Sequence, residues 1–110
     1  MVKFLTLLVL LSLIELSGFE VKFPDKPGHA EKRITIKGKD GWAVCTAKIS
    51  GHTQNKFAKL KGRKDNEGRE YTFKDNQKQD VRAGDYYFMA GGSVCCSDKI
   101  IAKLSCHPSK

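Results

Sequence analysis

The residues best suited to covalent chemistry are four cysteines, two of which are adjacent in the stretch GGSVCCSDK (residues 91–99). An even number of cysteines in a small secreted chain is typical of disulfides. A bridge between the neighbours Cys95 and Cys96 would close a strained small ring, so we expect each to pair with a distant cysteine. Two pairings then stay open: Cys45–Cys95 with Cys96–Cys106, or Cys45–Cys96 with Cys95–Cys106. Cys45 and Cys106 fall on apolar faces of predicted strands, so we expect both in the core.

A metal site could use the late cysteines together with His107. Structural zinc sites, however, usually contain pairs of cysteines separated by a short spacer, and adjacent cysteines rarely share one ion. We therefore predict that the cysteines are structural and that the protein has no metal site and no cofactor.

A catalytic acid–base pair would have to come from the histidines and the carboxylates. His52 with Glu67 or Glu70 could transfer protons, and Arg63 or Arg69 could hold a phosphate, as a small secreted ribonuclease requires. These spacings do not fix a mutual geometry, and the sequence contains no nucleophile-elbow, zinc-protease or P-loop motif. We predict a protein without catalytic residues, with the ribonuclease as a third alternative.

The most basic stretch is NKFAKLKGRKDNEGR (residues 55–69). Phe57, Lys59 and Lys61 alternate along one predicted strand and so share a face, and Arg63 and Lys64 follow in a turn. Cations beside an aromatic ring can hold phosphates and stack a base. The same residues can also keep a strand edge from pairing with another copy of the chain. The sequence predicts that this segment is a binding surface, or that its strand is a protected edge.

Trp42 is the other candidate binding residue. Trp42 and Val44 lie on the face opposite Cys45, so this predicted strand is apolar on both sides. An exposed Trp of this kind is a common anchor in protein interfaces. The alternative is that the segment FEVKF (residues 19–23) pairs or packs across that face as an extra strand.

The N-terminus has the composition of a secretory signal peptide, with a basic start, an apolar run from Phe4 to Ile14, and small residues at Ser17 and Gly18. The run ends at Glu15, too early for a membrane span. We expect cleavage after Gly18, a secreted chain, and no integral membrane span in the mature protein. Two prolines and a glycine in PDKPGHAEK (residues 24–32) then indicate that residues 19–32 are an N-terminal extension or linker.

Short segments of alternating polar and apolar residues, separated by Gly, Asn and Asp, follow the linker. This period of two, with many β-branched and aromatic residues, is typical of antiparallel strands. The sequence predicts one all-β domain over residues 33–110, a small disulfide-stapled antiparallel β-sandwich or barrel of about six strands. The candidate strands are RITIK (33–37), WAVCTAKI (42–49), KFAKLK (56–61), EYTFK (70–74), QDVRAGDYYFMAGG (79–92, two strands or one bent pair around Ala83 and Gly84) and KIIAKLSC (99–106).

This layout of signal peptide, small basic domain and short strands resembles that of small secreted effectors of plant-pathogenic fungi. It is most similar to the MAX effector family, over roughly Ile34 to Cys106. The resemblance implies a sandwich of two three-stranded antiparallel sheets and a disulfide that joins Cys45 to Cys95 or Cys96. It also implies a non-enzymatic virulence protein that binds host proteins, often through an exposed strand edge, after entering the plant cell. We expect a monomer.

The net charge of +8 defines the main alternative function. Removal of the signal peptide takes away one Lys and one Glu, so the mature chain keeps this charge. Such a surplus favours polyanions or acidic protein surfaces as partners, or serves solubility alone. The alternative is a cationic secreted toxin or antimicrobial protein that acts on anionic membranes or nucleic acid, with an activity that falls steeply as salt rises.

Overall fold

Eight β-strands supply almost all of the regular structure in the computed structural model, which describes residues 17–25, 31–94 and 98–109. A single 3₁₀ turn, Lys64–Asn66, is the one helical element in these ranges. The prediction of an all-β fold is confirmed, with eight strands instead of about six. The strands are β1 (Ser17–Phe23), β2 (Glu31–Ile36), β3 (Trp42–Ser50), β4 (Phe57–Gly62), β5 (Glu70–Phe73), β6 (Lys78–Arg82), β7 (Gly84–Gly91) and β8 (Ile100–Pro108).

The strands form two four-stranded antiparallel sheets that pack face to face. Sheet one has the order β1-β8-β3-β6 and sheet two the order β2-β7-β4-β5. This is the strand order of an eight-stranded jelly roll. The predicted sandwich is confirmed, but the three-stranded sheets implied by the resemblance are not found. The reason is that β1 extends sheet one beyond β8, and β2 extends sheet two beyond β7.

The core lies between the sheets and follows the alternation of the sequence. In β3 and β8 every second side chain is buried, and the buried set is the one that the sequence predicts. Each fully buried large apolar side chain contributes roughly 1.5–3 kcal/mol to folding. The inner faces of these two strands consist of Ala43, Cys45, Ala47, Ile49, Ile100, Ala102, Leu104 and Cys106, and sheet two adds Ile34, Ile36, Ala58, Leu60, Phe73, Tyr86, Phe88 and Ala90.

The segment predicted as an extension, residues 19–32, belongs largely to the sheets. Phe19, Val21 and Phe23 pair in register with Leu104, Ala102 and Ile100 of β8. Val21 is buried, and the two phenylalanines pack partly buried against the core. The prediction of a linker was wrong for residues 19–23, because their alternating apolar side chains gain from burial against the core. It was also wrong for Glu31 and Lys32, which are exposed but pair with Met89 and Phe88 of β7.

The predicted signal peptide lies mostly outside the described residues, as do residues 26–30. Strand β1 starts at Ser17, which pairs with Cys106, and Gly18 pairs with Ser105. Cleavage after Gly18 would therefore remove two of the seven pairs between β1 and β8 and leave five.

The disulfide joins Cys45 to Cys106, with an S–S distance of 2.09 Å and a Cα–Cα distance of 4.1 Å. Both predicted pairings were wrong in linking these residues to Cys95 or Cys96, and so was the pairing implied by the resemblance. The reason is topological: β3 and β8 are neighbours in sheet one, and their register places Cys45 directly opposite Cys106 on the inner face. Cys95 and Cys96 themselves lie outside the described residues.

Tyr86 fixes the corner where the chain passes from sheet one to sheet two. Its hydroxyl donates a hydrogen bond to the backbone carbonyl of Arg82, the last residue of β6. The ring is fully buried and meets the ring of Tyr71 edge to face, with centroids 6.0 Å apart. Burial raises the pKa of the Tyr86 hydroxyl far above its ordinary value.

Replacing Tyr86 with Phe is expected to lower the free energy of unfolding by about 1–2 kcal/mol, because the carbonyl of Arg82 loses its buried donor. Urea denaturation measures this, with the solvent-facing Tyr87→Phe as a control that should change little. Because the folded pKa of Tyr86 is raised, the wild type should also lose stability as the pH rises above about 10, and Tyr86→Phe should lose less. If Tyr86→Phe and Tyr87→Phe lost the same free energy of unfolding at neutral pH, the result would contradict a stabilising role for the Tyr86 hydroxyl.

Asn66 is the only buried polar residue in the described part of the chain, at 4% exposure. It lies in the connection from β4 to β5, and its side-chain amide donates to the carbonyl of Ala83 at 3.2 Å. Gly62 and Gly84 border it so closely that a Cβ atom at either position would collide with Asn66. These contacts hold the connection between β4 and β5 against the corner between β6 and β7.

Candidate functional site

The outer surface of sheet two carries most of the predicted binding residues, and we call it the basic face. Ala58 and Leu60 of β4 are fully buried, so Phe57, Lys59 and Lys61 point outward. The prediction that these three side chains share one face is confirmed. They are fixed there because the alternating apolar residues between them anchor β4 to the core. The alternative that this strand is a protected edge was wrong, because β4 pairs with β7 on one side and with β5 on the other.

Three cations surround one aromatic ring at the centre of the basic face. Tyr87 of β7 lies in register between Arg33 of β2 and Lys61 of β4. The guanidinium carbon of Arg63 is 5.2 Å from the centroid of the Tyr87 ring, within the range of a cation–π contact. We call these four residues the Tyr87 cluster. Lys61 is also opposite Glu70, but the Glu70 carboxylate forms its ion pair with Lys59.

The other predicted cations of the basic face already have acidic partners. The ammonium group of Lys59 lies 3.6 Å from Glu70 Oε1 and 5.8 Å from the centroid of the Phe57 ring. The ammonium group of Lys64 lies 3.5 Å from Asp85 Oδ2. In contrast, Arg33, Lys61 and Arg63 have no carboxylate within 4 Å in the part of the chain that the structure describes. The cations of the Tyr87 cluster are therefore free of the ion pairs that hold Lys59 and Lys64.

Asp85 holds the turn after β4 in place. The hydroxyl of Thr35 donates a hydrogen bond of 2.6 Å to Asp85 Oδ1. This hydrogen bond, with the nearby charge of Lys64, lowers the pKa of Asp85 below its ordinary value. The backbone N–H of Arg63 also donates to the carbonyl of Asp85 at 3.0 Å. The ionised carboxylate and this backbone bond position Arg63 above Tyr87.

Trp42 lies on the other side of the molecule, on the outer face of sheet one. It is 39% exposed, and the guanidinium carbon of Arg82 lies 5.9 Å from its ring centroid. The prediction that FEVKF covers Trp42 was wrong, because β1 pairs with the far edge of β8 and turns Val21 into the core. The predicted binding residues thus form two separate surfaces, with Trp42 absent from the basic face.

The residues of the ribonuclease alternative are not brought together. His52 lies in the connection before β4 and contacts Asp98, with 3.1 Å between Nδ1 and Oδ1. Glu67, Arg63 and Arg69 lie beyond the other end of β4. At about 3.4 Å per residue, the two ends of this strand are roughly 17 Å apart.

The described residues also contain no group of three or more His, Cys, Asp and Glu side chains arranged to hold a metal ion. In these same ranges, no helix has the length and apolar character needed to cross a membrane.

Sequence reasoning missed Arg33, Tyr87 and Met89 of the basic face. Arg33 occupies an outward position of the alternating RITIK segment, and Met89 lies between Glu31 and Lys59. A usable signal for Tyr87 was the run of three aromatic residues at 86–88. Neighbouring strand residues face opposite sides, so such a run must place at least one ring outward.

The fold and the basic face define a disulfide-bonded jelly-roll sandwich that presents cations around a half-buried tyrosine. No protein-family model, no curated protein and no solved structure matches this chain.

Proposed function

We propose that this chain is a secreted, non-catalytic binding protein of the effector type, which engages an acidic surface of a host protein through the basic face. The observation that carries this proposal is the Tyr87 cluster, in which three cations that have no acidic partner among the described residues surround one ring. Tyr and Arg are the residue types enriched at the energetic centres of protein interfaces. The N-terminal sequence pattern supports secretion, and the resemblance to fungal effectors supports a host protein as partner.

The mixture of charges on the basic face favours a protein partner over a nucleic acid. Glu31, Glu70 and Asp85 lie among the cations on the same outer surface. Each carboxylate would repel a phosphate backbone, whereas a folded protein can present cations opposite them. A surface that carries both positive and negative charges is specific for a partner surface with the complementary arrangement of charges.

Strand β2 supplies the edge at which a partner strand could add. Within the described residues, β2 pairs only with β7, so its other side is not part of a ladder. On the opposite side of the sandwich, the Gln79 side chain donates to the carbonyl of Thr72 at 2.6 Å, and Tyr71 accepts from the N–H of Arg82. These bonds occupy the edges of β5 and β6. A strand added to β2 would lie beside Arg33 of the Tyr87 cluster.

The test is a pull-down of host proteins with the oxidised protein, compared with the double variant Arg33→Glu, Lys61→Glu. The matched control is Lys22→Glu, Lys78→Glu, which changes two exposed cations on the outer face of sheet one and alters the net charge equally. We expect the first variant to lose at least about 100-fold in affinity for the captured partner, and the control to keep affinity within a few fold.

Repeating the pull-down with nuclease and at higher salt separates a protein-binding function from that of a cationic toxin. A partner that survives nuclease treatment and moderate salt supports the proposal. Equal losses in both double variants would show that net charge, and not the Tyr87 cluster, drives association. Recovery that disappears with nuclease or with salt would instead favour the cationic toxin.

A further inference from the structure

Two lysines face each other directly on the outer surface of sheet one. Lys48 of β3 is in register with Lys103 of β8, so their Cβ atoms are about 5 Å apart, and like charges at this spacing destabilise a sheet. Lys103 has a distant partner, with 4.0 Å between its ammonium nitrogen and Glu20 Oε1. Lys48 has no carboxylate within 4 Å in the described ranges. An anion bound between the two lysines would relieve this repulsion.

A depression of about 350 Å³ lies beside this pair, between the ends of β3 and β8 and the turn that joins β5 to β6. This volume is at the lower end of the roughly 300–1,000 Å³ typical of small-molecule sites. Its rim combines two lysines, one carboxylate, neutral polar groups and the half-exposed side chain of Ile101. The residues that line it include Lys48, Ser50, Asp75, Asn76, Ile101 and Lys103.

Asp75 gives the depression a fixed hydrogen-bond acceptor. Its Oδ1 accepts a hydrogen bond of 2.7 Å from the backbone N–H of Ile49, which anchors the turn to β3. The carboxylate retains lone pairs that can accept from hydroxyl groups, but it would repel a second negative charge. The Ser50 hydroxyl and the Asn76 amide add donors and acceptors next to it. The site is therefore suited to a ligand with one anionic end and several hydroxyls.

We propose that this depression binds an acidic saccharide, a sugar unit that carries a carboxylate or a sulfate. The anionic group lies between Lys48 and Lys103, and the ring hydroxyls bond to Ser50, Asp75 and Asn76. The apolar C–H face of the sugar packs on Ile101. Among the described residues no aromatic ring lines the depression, so these residues offer no stacking platform of the kind that single-stranded nucleic acids use. The site lies on sheet one and does not depend on the function proposed for the basic face.

The experiment is an NMR titration of the oxidised protein with a tetrasaccharide of alternating glucuronate and N-acetylglucosamine, which carries one carboxylate and several hydroxyls in each disaccharide. We expect amide shifts at Ile49, Ser50, Asn76 and Ile101. Lys48→Gln should weaken binding about tenfold, the loss expected for one charged hydrogen bond. The matched control is Lys78→Gln, which removes an exposed lysine from the same outer face and should weaken binding less than about twofold.

A second measurement separates binding from folding. Lys48→Glu places opposite charges in register with Lys103, so it should raise the urea midpoint of the free protein while abolishing saccharide binding. Equal weakening by Lys48→Gln and Lys78→Gln would overturn the proposal, as would shifts confined to the Tyr87 cluster or no binding at all. A neutral maltotetraose or a single-stranded RNA that binds as tightly at the same residues would overturn the assignment of an acidic sugar.

Discussion

Replacing Cys45 and Cys106 together with alanine is expected to lower the free energy of unfolding by about 4 kcal/mol. The disulfide closes a loop of 61 residues, and this loop length sets the chain entropy that the bridge removes from the unfolded state. For a domain of this size, such a loss corresponds to a decrease in Tm of roughly 20 °C. The protein is small enough that this bridge is a major part of its stability.

Thermal and urea denaturation of the oxidised wild type and the double variant would measure the loss. Peptide mapping under non-reducing conditions provides the control, because the peptide with Cys45 should be linked to the peptide with Cys106. Linkage of Cys45 to Cys95 or Cys96 would contradict the register between β3 and β8. A double variant as stable as the wild type would contradict the proposed contribution of the bridge.

Gly62→Ala is expected to cost about 3 kcal/mol or more, or to prevent folding. A Cβ atom at this position would lie 1.8 Å from the backbone oxygen of Asn66. Asn66 cannot move away easily, because its N–H donates to Arg63, its oxygen accepts from the N–H of Arg69, and its amide bonds to Ala83. The variant must break this set of bonds or distort the end of β4.

Gly68→Ala is the matched control for this prediction, since Gly68 lies in the same connection with open space around its Cβ position. Its φ of +91° is unfavourable for alanine, so this variant should lose about 1–2 kcal/mol from the backbone alone. Urea denaturation of both variants separates the free-energy cost of the steric collision at Gly62 from the cost of an alanine at a positive φ. A Gly62→Ala protein as stable as Gly68→Ala would show that the connection is not pinned at Asn66.

The alternation of polar and apolar residues predicted which side chains are buried in the core better than it predicted which strands are neighbours. In β3 and β8 the residues expected to face inward are buried, because a strand places successive side chains on opposite sides whatever its neighbours are. The same rule placed Phe57, Lys59 and Lys61 on one outer face. It also carried the information that FEVKF is a strand, although the prolines that follow favoured a linker over a place in sheet one.

Local alternation was therefore enough to predict the strand class, the inner face of β3 and β8 and the outward direction of the cations of β4. Which strands are neighbours depends on the three-dimensional fold. Pairing between residues far apart in the chain depends on the whole jelly-roll order, which no local pattern encodes. For that reason Cys45 meets Cys106, Arg33 and Tyr87 join Lys61, and Trp42 lies on the opposite side of the molecule.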